Sequence, residues 1–181
     1  MQSEVNYMNM MQIDGLKIYK GSAFSDSRGK FSRVFDSHWF SSIGFTPMQI
    51  NVSSNPYKHT LRGMHFQVDG EPENKLMTLL SGVIFLSIVD LRPKSISYLN
   101  VFTREVSSEE LESIYIPAGC AAGWISLSND VHIHYVMSSR FELNNYDGFK
   151  FDDSFFSIPW PVKPEVISDQ DRNWPIFKER S

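Results

Sequence analysis

The run Val83-Ile84-Phe85-Leu86-Ser87-Ile88-Val89 is apolar on both of its alternating faces. A strand of that kind is stable only near the middle of a sheet that is covered on both sides. Around it the chain has almost no helix-period pattern. Instead it carries many short runs rich in β-branched and aromatic residues, separated by Gly, Pro, Asn, Asp and Ser. Strands are expected at Leu16 to Tyr19, Gly29 to Phe35, Met48 to Ser53, Leu61 to Gln67, Lys75 to Ser81, Val83 to Leu91, Leu99 to Val106, Ser113 to Ile116, Gly123 to Leu127 and Val131 to Met137. Their regular spacing suits an all-β sandwich, jelly roll or barrel. Two short helices are expected, Asp36 to Ile43 behind an Asp cap and a turn at Ser108 to Leu111 behind a Ser cap. The Pro-rich end, from Trp160-Pro161 through Pro164 and Pro175, should wrap the domain as an ordered loop. With 181 residues, 41% of them hydrophobic, one domain spanning residues 1–181 is expected to bury a sizeable core.

Seventeen basic residues against 21 acidic ones give a net charge of -4, which offers no electrostatic footprint for nucleic acid or an anionic membrane. A phosphate ligand would need a local basic cluster. Cys120 is the only cysteine, so no intrachain disulfide can form and the chain reads as cytoplasmic. Neither a signal peptide nor a spanning segment is expected, because the first residues are polar and Met-rich and the longest apolar runs are of strand length.

The octet Thr60-Leu61-Arg62-Gly63-Met64-His65-Phe66-Gln67 sets a guanidinium and an imidazole three residues apart inside an otherwise apolar strand. Strand alternation places Gly63, His65 and Gln67 on one face and Arg62, Met64 and Phe66 on the other. His65 then points either into a core or into a pocket.

Further motifs accompany the octet in order: Asp26-Ser27-Arg28-Gly29-Lys30-Phe31, Gln49-Ile50-Asn51-Val52-Ser53, Lys75, Val89-Asp90-Leu91-Arg92-Pro93-Lys94-Ser95, Ile114-Tyr115-Ile116-Pro117-Ala118-Gly119, Tyr135, Ile158-Pro159-Trp160-Pro161 and Ser168-Asp169-Gln170-Asp171. Any one is weak, but the ordered set, from about Gly15 to Pro175, resembles the dTDP-4-dehydrorhamnose 3,5-epimerase family. The resemblance implies a cupin-type jelly roll, commonly a homodimer in which an N-terminal strand crosses to the partner, and cofactor-free epimerisation of a nucleotide-linked 4-keto-6-deoxy sugar. A ketone acidifies the hydrogens on its neighbouring carbons, so a base on one face can remove a proton and an acid on the other can return one. The family's base falls on His65, the carboxylate that orients it on Asp171 and the acid on Tyr135. A lysine falling on Lys75 would stabilise the developing enolate, and an arginine falling on Arg62 would hold diphosphate. Gln49, Asn51 and Arg28 match nucleotide-contacting positions, and Phe31 matches an aromatic that stacks on the base from the partner subunit.

Taken singly, each residue has a plainer reading. Lys75 could face solvent at an edge, Tyr135 could be a cross-strand tyrosine, and Asp171 could cap a turn. His132 and His134 share a strand face and could bind a metal, but they alternate with Tyr135, so a solvated or cross-strand pair and no metal site is expected. His38 and His59 have no visible partner. Three positions depart from the family pattern: Ala122 stands for a histidine, Leu86 for an aspartate close to it, and Phe141 for a tyrosine after the catalytic one. Losing both members of a buried polar pair costs less than losing one, so the first two read as a repacked pocket that suits a sugar lacking a hydroxyl, with inversion at C5 alone. Arg33 stands where the family has a glutamate that accepts the thymine N3 hydrogen. Arginine only donates, and a guanidinium fork matches cytosine N3 and O2; the plainer reading turns Arg33 to solvent or phosphate. The expectation is therefore a CDP-4-keto-3,6-dideoxyhexose 5-epimerase of the ascarylose type. The alternatives are a dTDP-sugar 3,5-epimerase of the rhamnose type, a cupin that binds sugar nucleotides without turning them over, and a sugar-nucleotide keto-isomerase.

Overall fold

In the computed structural model, which describes residues 13–68 and 73–179, the β-rich runs become strands that pair almost wholly antiparallel. They are β1 (Lys17–Lys20), β2 (Ala23–Asp26), β3 (Gly29–Ser32), β4 (Gln49–Asn55), β5 (Thr60–Gln67), β6 (Lys75–Ser81), β7 (Val83–Asp90), β8 (Val101–Ser107), β9 (Glu112–Ile116), β10 (Cys120–Ser126), β11 (Val131–Met137), β12 (Tyr146–Gly148) and β13 (Val166–Ile167). One sheet runs β1-β9-β6-β11-β4 and the other β12-β5-β10-β7-β8, with β13 joining β5 in parallel. Together they make a jelly roll, and β2 and β3 form a separate hairpin. No helix among the described residues is long and apolar enough to cross a membrane.

As its sequence requires, β7 lies between β10 and β8 and is covered on both faces. Inward, Ile84, Leu86 and Ile88 meet Met77 and Leu79 of β6 and Ile133 of β11. Outward, Val89 lies under Phe149, Phe156 and Ile158 of the C-terminal segment, and Phe85 meets Trp160 with ring centres 5.8 Å apart. Each fully buried side chain of this size contributes about 2 kcal/mol, so the Pro-rich tail is part of the core. The opposite sheet is covered by α1 (Ser37–Ser42). Asp36 caps that helix by accepting from the backbone N–H groups of His38 and Trp39, and Phe40 packs on Phe45, Leu76, Tyr115 and Val136.

Three expectations change. Ser108 to Leu111 stays a turn, because Leu111 enters the left-handed region at φ 46° and the chain goes directly into β9. The tail is not all loop, since β13 and a second short helix, α2 (Asp169–Asn173), lie in it. Arg62 and His65 do not fall on opposite faces of β5. Ala122 pairs with His65 and Trp124 with Arg62, so Gly63 and Met64 together stand opposite the single Gly123. This bulge inserts one residue and rotates the rest of the strand onto the other face. Gly63 permits it: its φ is +121°, and a Cβ there would lie 2.4 Å from the Gly123 Cα.

Candidate active site

Because of the bulge, Arg62 and His65 both line a cavity of about 260 Å³ between the two sheets. The His65 Nε2 lies 2.5 Å from the Asp171 Oδ1, across 106 positions of sequence. Ser168 caps α2 by accepting from the Asp171 N–H at 3.0 Å, which sets the carboxylate under the strand. The backbone N–H of Gly63 and the indole N–H of Trp174 also donate to it, at 3.3 and 3.2 Å. Burial alone would raise the pKa of Asp171, but the hydrogen bonds from His65, Gly63 and Trp174 outweigh it and hold the carboxyl below the usual carboxylate range. Asp171 is therefore an anion that fixes Nε2–H and leaves the lone pair on Nδ1, the nitrogen free to take a proton.

The other sheet supplies Tyr135, which alternates with outward-facing His132 and His134. Its hydroxyl accepts from the Trp124 indole N–H at 2.9 Å, so its own hydrogen is left for the cavity. Burial pushes its pKa up to about 12, against the smaller lowering effects of Trp124 and Arg62; at neutral pH it is a protonated donor. Lys75 opens β6 with its side chain 12% exposed, and its Nζ lies 3.1 Å from Glu73 Oε1. Arg62 donates through Nε to Asn55 Oδ1 at 2.9 Å. It has no carboxylate partner among the described residues, so both terminal nitrogens stay open to an anion.

Of the remaining expected site residues, Asn51 lines the cavity, while Gln49 bonds Asn51 at 3.0 Å and accepts from the Phe141 N–H at 3.1 Å. Arg28, Phe31 and Arg33 lie outside the cavity lining. Arg28 clasps Asp26 at 2.6 Å with its side chain 88% exposed. Phe31 is 75% exposed, directly opposite Phe24 in the β2–β3 hairpin. Arg33 donates to Asp36 Oδ2 at 3.1 Å with its side chain 56% exposed, which is the plainer solvent-side arrangement. Leu86 pairs with Trp124 and is fully buried in the core, outside the cavity lining, whereas Ala122 pairs with Ile88 and does line the cavity, so of the two departures Ala122 is the one that faces the pocket. His132 takes a cross-strand partner, Ser54, at 3.1 Å, and His59 pairs with Glu165 at 2.7 Å.

Three cavity residues were not foreseen: Glu73, Trp124 in any polar role, and Tyr146. Glu73 could have been suspected from its spacing of two from Lys75. Trp124 carries no polar signal in an apolar run, and Tyr146 sits in a polar stretch with no strand signal.

A sequence model described as dTDP-4-dehydrorhamnose 3,5-epimerase matches residues 10–179. The chain is 32% identical over 178 residues to the dTDP-4-dehydrorhamnose 3,5-epimerase of Sinorhizobium fredii, covering 96% of this chain and 90% of that one. Among solved structures it is similar to the dTDP-4-dehydrorhamnose 3,5-epimerase of Bacillus anthracis with TDP and PPi bound, at a TM-score of 0.86 and 27% identity, covering 93% of this chain and 99% of that one. A second is the dTDP-6-deoxy-D-glucose-3,5-epimerase of Legionella pneumophila in complex with dTDP-4-keto-L-rhamnose, at 0.81 and 29%, covering 88% and 86%.

Proposed function

The chain belongs to the dTDP-4-dehydrorhamnose 3,5-epimerase family, and from that premise we propose that it inverts C3 and C5 of a dTDP-4-keto-6-deoxyhexose by cofactor-free proton exchange. The carrying observation is the oriented His65–Asp171 pair on one sheet and the protonated Tyr135 on the other, around one cavity. In this reading Nδ1 of His65 takes the proton next to the ketone, and Asp171 stabilises the imidazolium that results. Lys75, steadied by Glu73, holds charge near the enolate oxygen, and Tyr135 returns a proton from the opposite face. Arg62 takes the diphosphate with its two free nitrogens.

The thymidine-nucleotide reading has better support than the cytidine one. The relatives are named for dTDP sugars, and Arg33 is engaged by Asp36. The enzyme works as a homodimer in this proposal. Phe24 and Phe31 form an exposed aromatic tip suited to stacking on a base held by the other copy; the strand expected to cross between subunits includes residues outside those described.

Incubation with dTDP-4-keto-6-deoxyglucose in heavy water should place deuterium at both C3 and C5 of an inverted product. Turnover of a CDP-4-keto-3,6-dideoxyhexose alone, labelled only at C5, would restore the cytidine reading. No exchange with either substrate would leave a binding protein.

A further inference from the structure

Tyr146 lies directly opposite Gln67 in the pairing of β12 with β5, and so shares the cavity face with His65 two residues away. Its ring is held on three sides: 5.1 Å from the His65 ring, 5.3 Å from Phe141 and 6.1 Å from Trp174, centre to centre. Gly148 keeps β12 close, since a Cβ there would lie 2.6 Å from both the Met64 carbonyl oxygen and the Trp174 ring. The ring is thus fixed, while the hydroxyl bonds to no other described residue. Asp171, Glu73, Arg62 and Tyr135, all groups of the site, act on it electrostatically. Burial and the nearby anions Asp171 and Glu73 raise its pKa further above the ordinary phenol range, so it stays a neutral donor at any working pH. A donor fixed in a partly dry pocket with no acceptor from the protein is completed by a ligand oxygen.

We propose that Tyr146 is a substrate-binding residue whose hydroxyl donates to an oxygen of the sugar ring on the His65 side and so fixes the ring over the base. This rests on the epimerase reading for the identity of the sugar. Tyr135 returns a proton from the far sheet, whereas Tyr146 holds the sugar from the near one. Phe141, where the family resemblance expects a phenol, carries no hydroxyl, and Tyr146 sets one beside it.

Tyr146→Phe keeps the ring packing and removes only the donor. Wild-type protein and the variant are titrated with dTDP alone and with dTDP-6-deoxyglucose, whose 4-hydroxyl cannot react. The expected result is unchanged dTDP affinity and a roughly three- to tenfold loss for the sugar nucleotide, the worth of one neutral hydrogen bond. Equal affinity of both proteins for the sugar nucleotide overturns the proposal, as does an equal loss for both ligands. The comparison needs no turnover, so a wild-type protein inert toward 4-keto sugars would sink the epimerase reading and leave Tyr146 to be judged by binding.

Discussion

Two hydrogen bonds set the geometry of the proposed base and acid, and each can be removed by a single substitution. Asp171→Asn should leave the protein folded yet slow epimerisation on the order of a hundredfold or more, since a neutral amide neither fixes the imidazole tautomer nor stabilises its cation. Near-full activity would reduce Asp171 to a structural carboxylate of α2. Trp124→Phe should lower kcat about fivefold, because the phenol of Tyr135 loses the donor that turns its hydrogen into the cavity; equal kcat in the two proteins would reduce Trp124 to packing. His65→Ala should abolish solvent exchange next to the ketone, while Tyr135→Phe should retain some exchange and lose inversion. Residue types and order make His65, Tyr135, Asp171, Lys75 and Arg62 visible without the fold. Tyr146 is not visible in that way, because its role depends on a three-residue strand that only tertiary pairing creates.

Among the elements, β5 shows where periodicity stops being informative. Strict alternation sends Arg62 away from His65, and the bulge opposite Gly123 brings it back. The signal is Gly63 itself, a residue rare inside so apolar a strand, but the contact that requires it belongs to a different strand. Gly63→Ala should cost several kcal/mol and weaken dTDP binding together, since the added Cβ would run into the backbone of Ala122 and Gly123; an unaltered melting curve would show that the bulge tolerates a side chain. At the end of β7, Asp90 accepts from Arg92, Ser95 and Ser97, and Arg92 reaches on to the Asp14 carbonyl. Burial would raise the Asp90 pKa, but these bonds hold it far below normal. A depressed folded-state pKa gives stability that is present above the ordinary aspartate value and lost as pH falls through the lowered one. Asp90→Asn should therefore lower stability at pH 7 by about 3 kcal/mol and flatten its acid dependence, which denaturant titrations at several pH values would reveal.

Over the whole molecule, the apolar run of β7 fixes more than its own strand: it requires an outer layer, and the C-terminal segment provides one. The order of that layer is legible in its prolines and aromatics. Its short helix and strand are hidden because two- to five-residue elements have no period to detect. The exposed aromatic tip of the β2–β3 hairpin belongs to this scale too. Phe31→Ala should leave the melting temperature unchanged, because the ring is 75% exposed, while weakening dTDP binding severalfold if the tip reaches a second copy's base. Unchanged affinity would confine the hairpin to its own subunit.

The carboxylate that orients His65 arrives in the same segment that roofs the outer face of β7. A ribosome releases that segment only after β1 to β12. Until then the imidazole has no anion to align it, so the growing chain can complete most of its sheets while remaining unable to enolise a sugar. Activity consequently certifies an intact tail: proteolytic nicking ahead of Ser168 would silence the protein before it visibly unfolded it, and turnover would report damage that bulk spectroscopy misses.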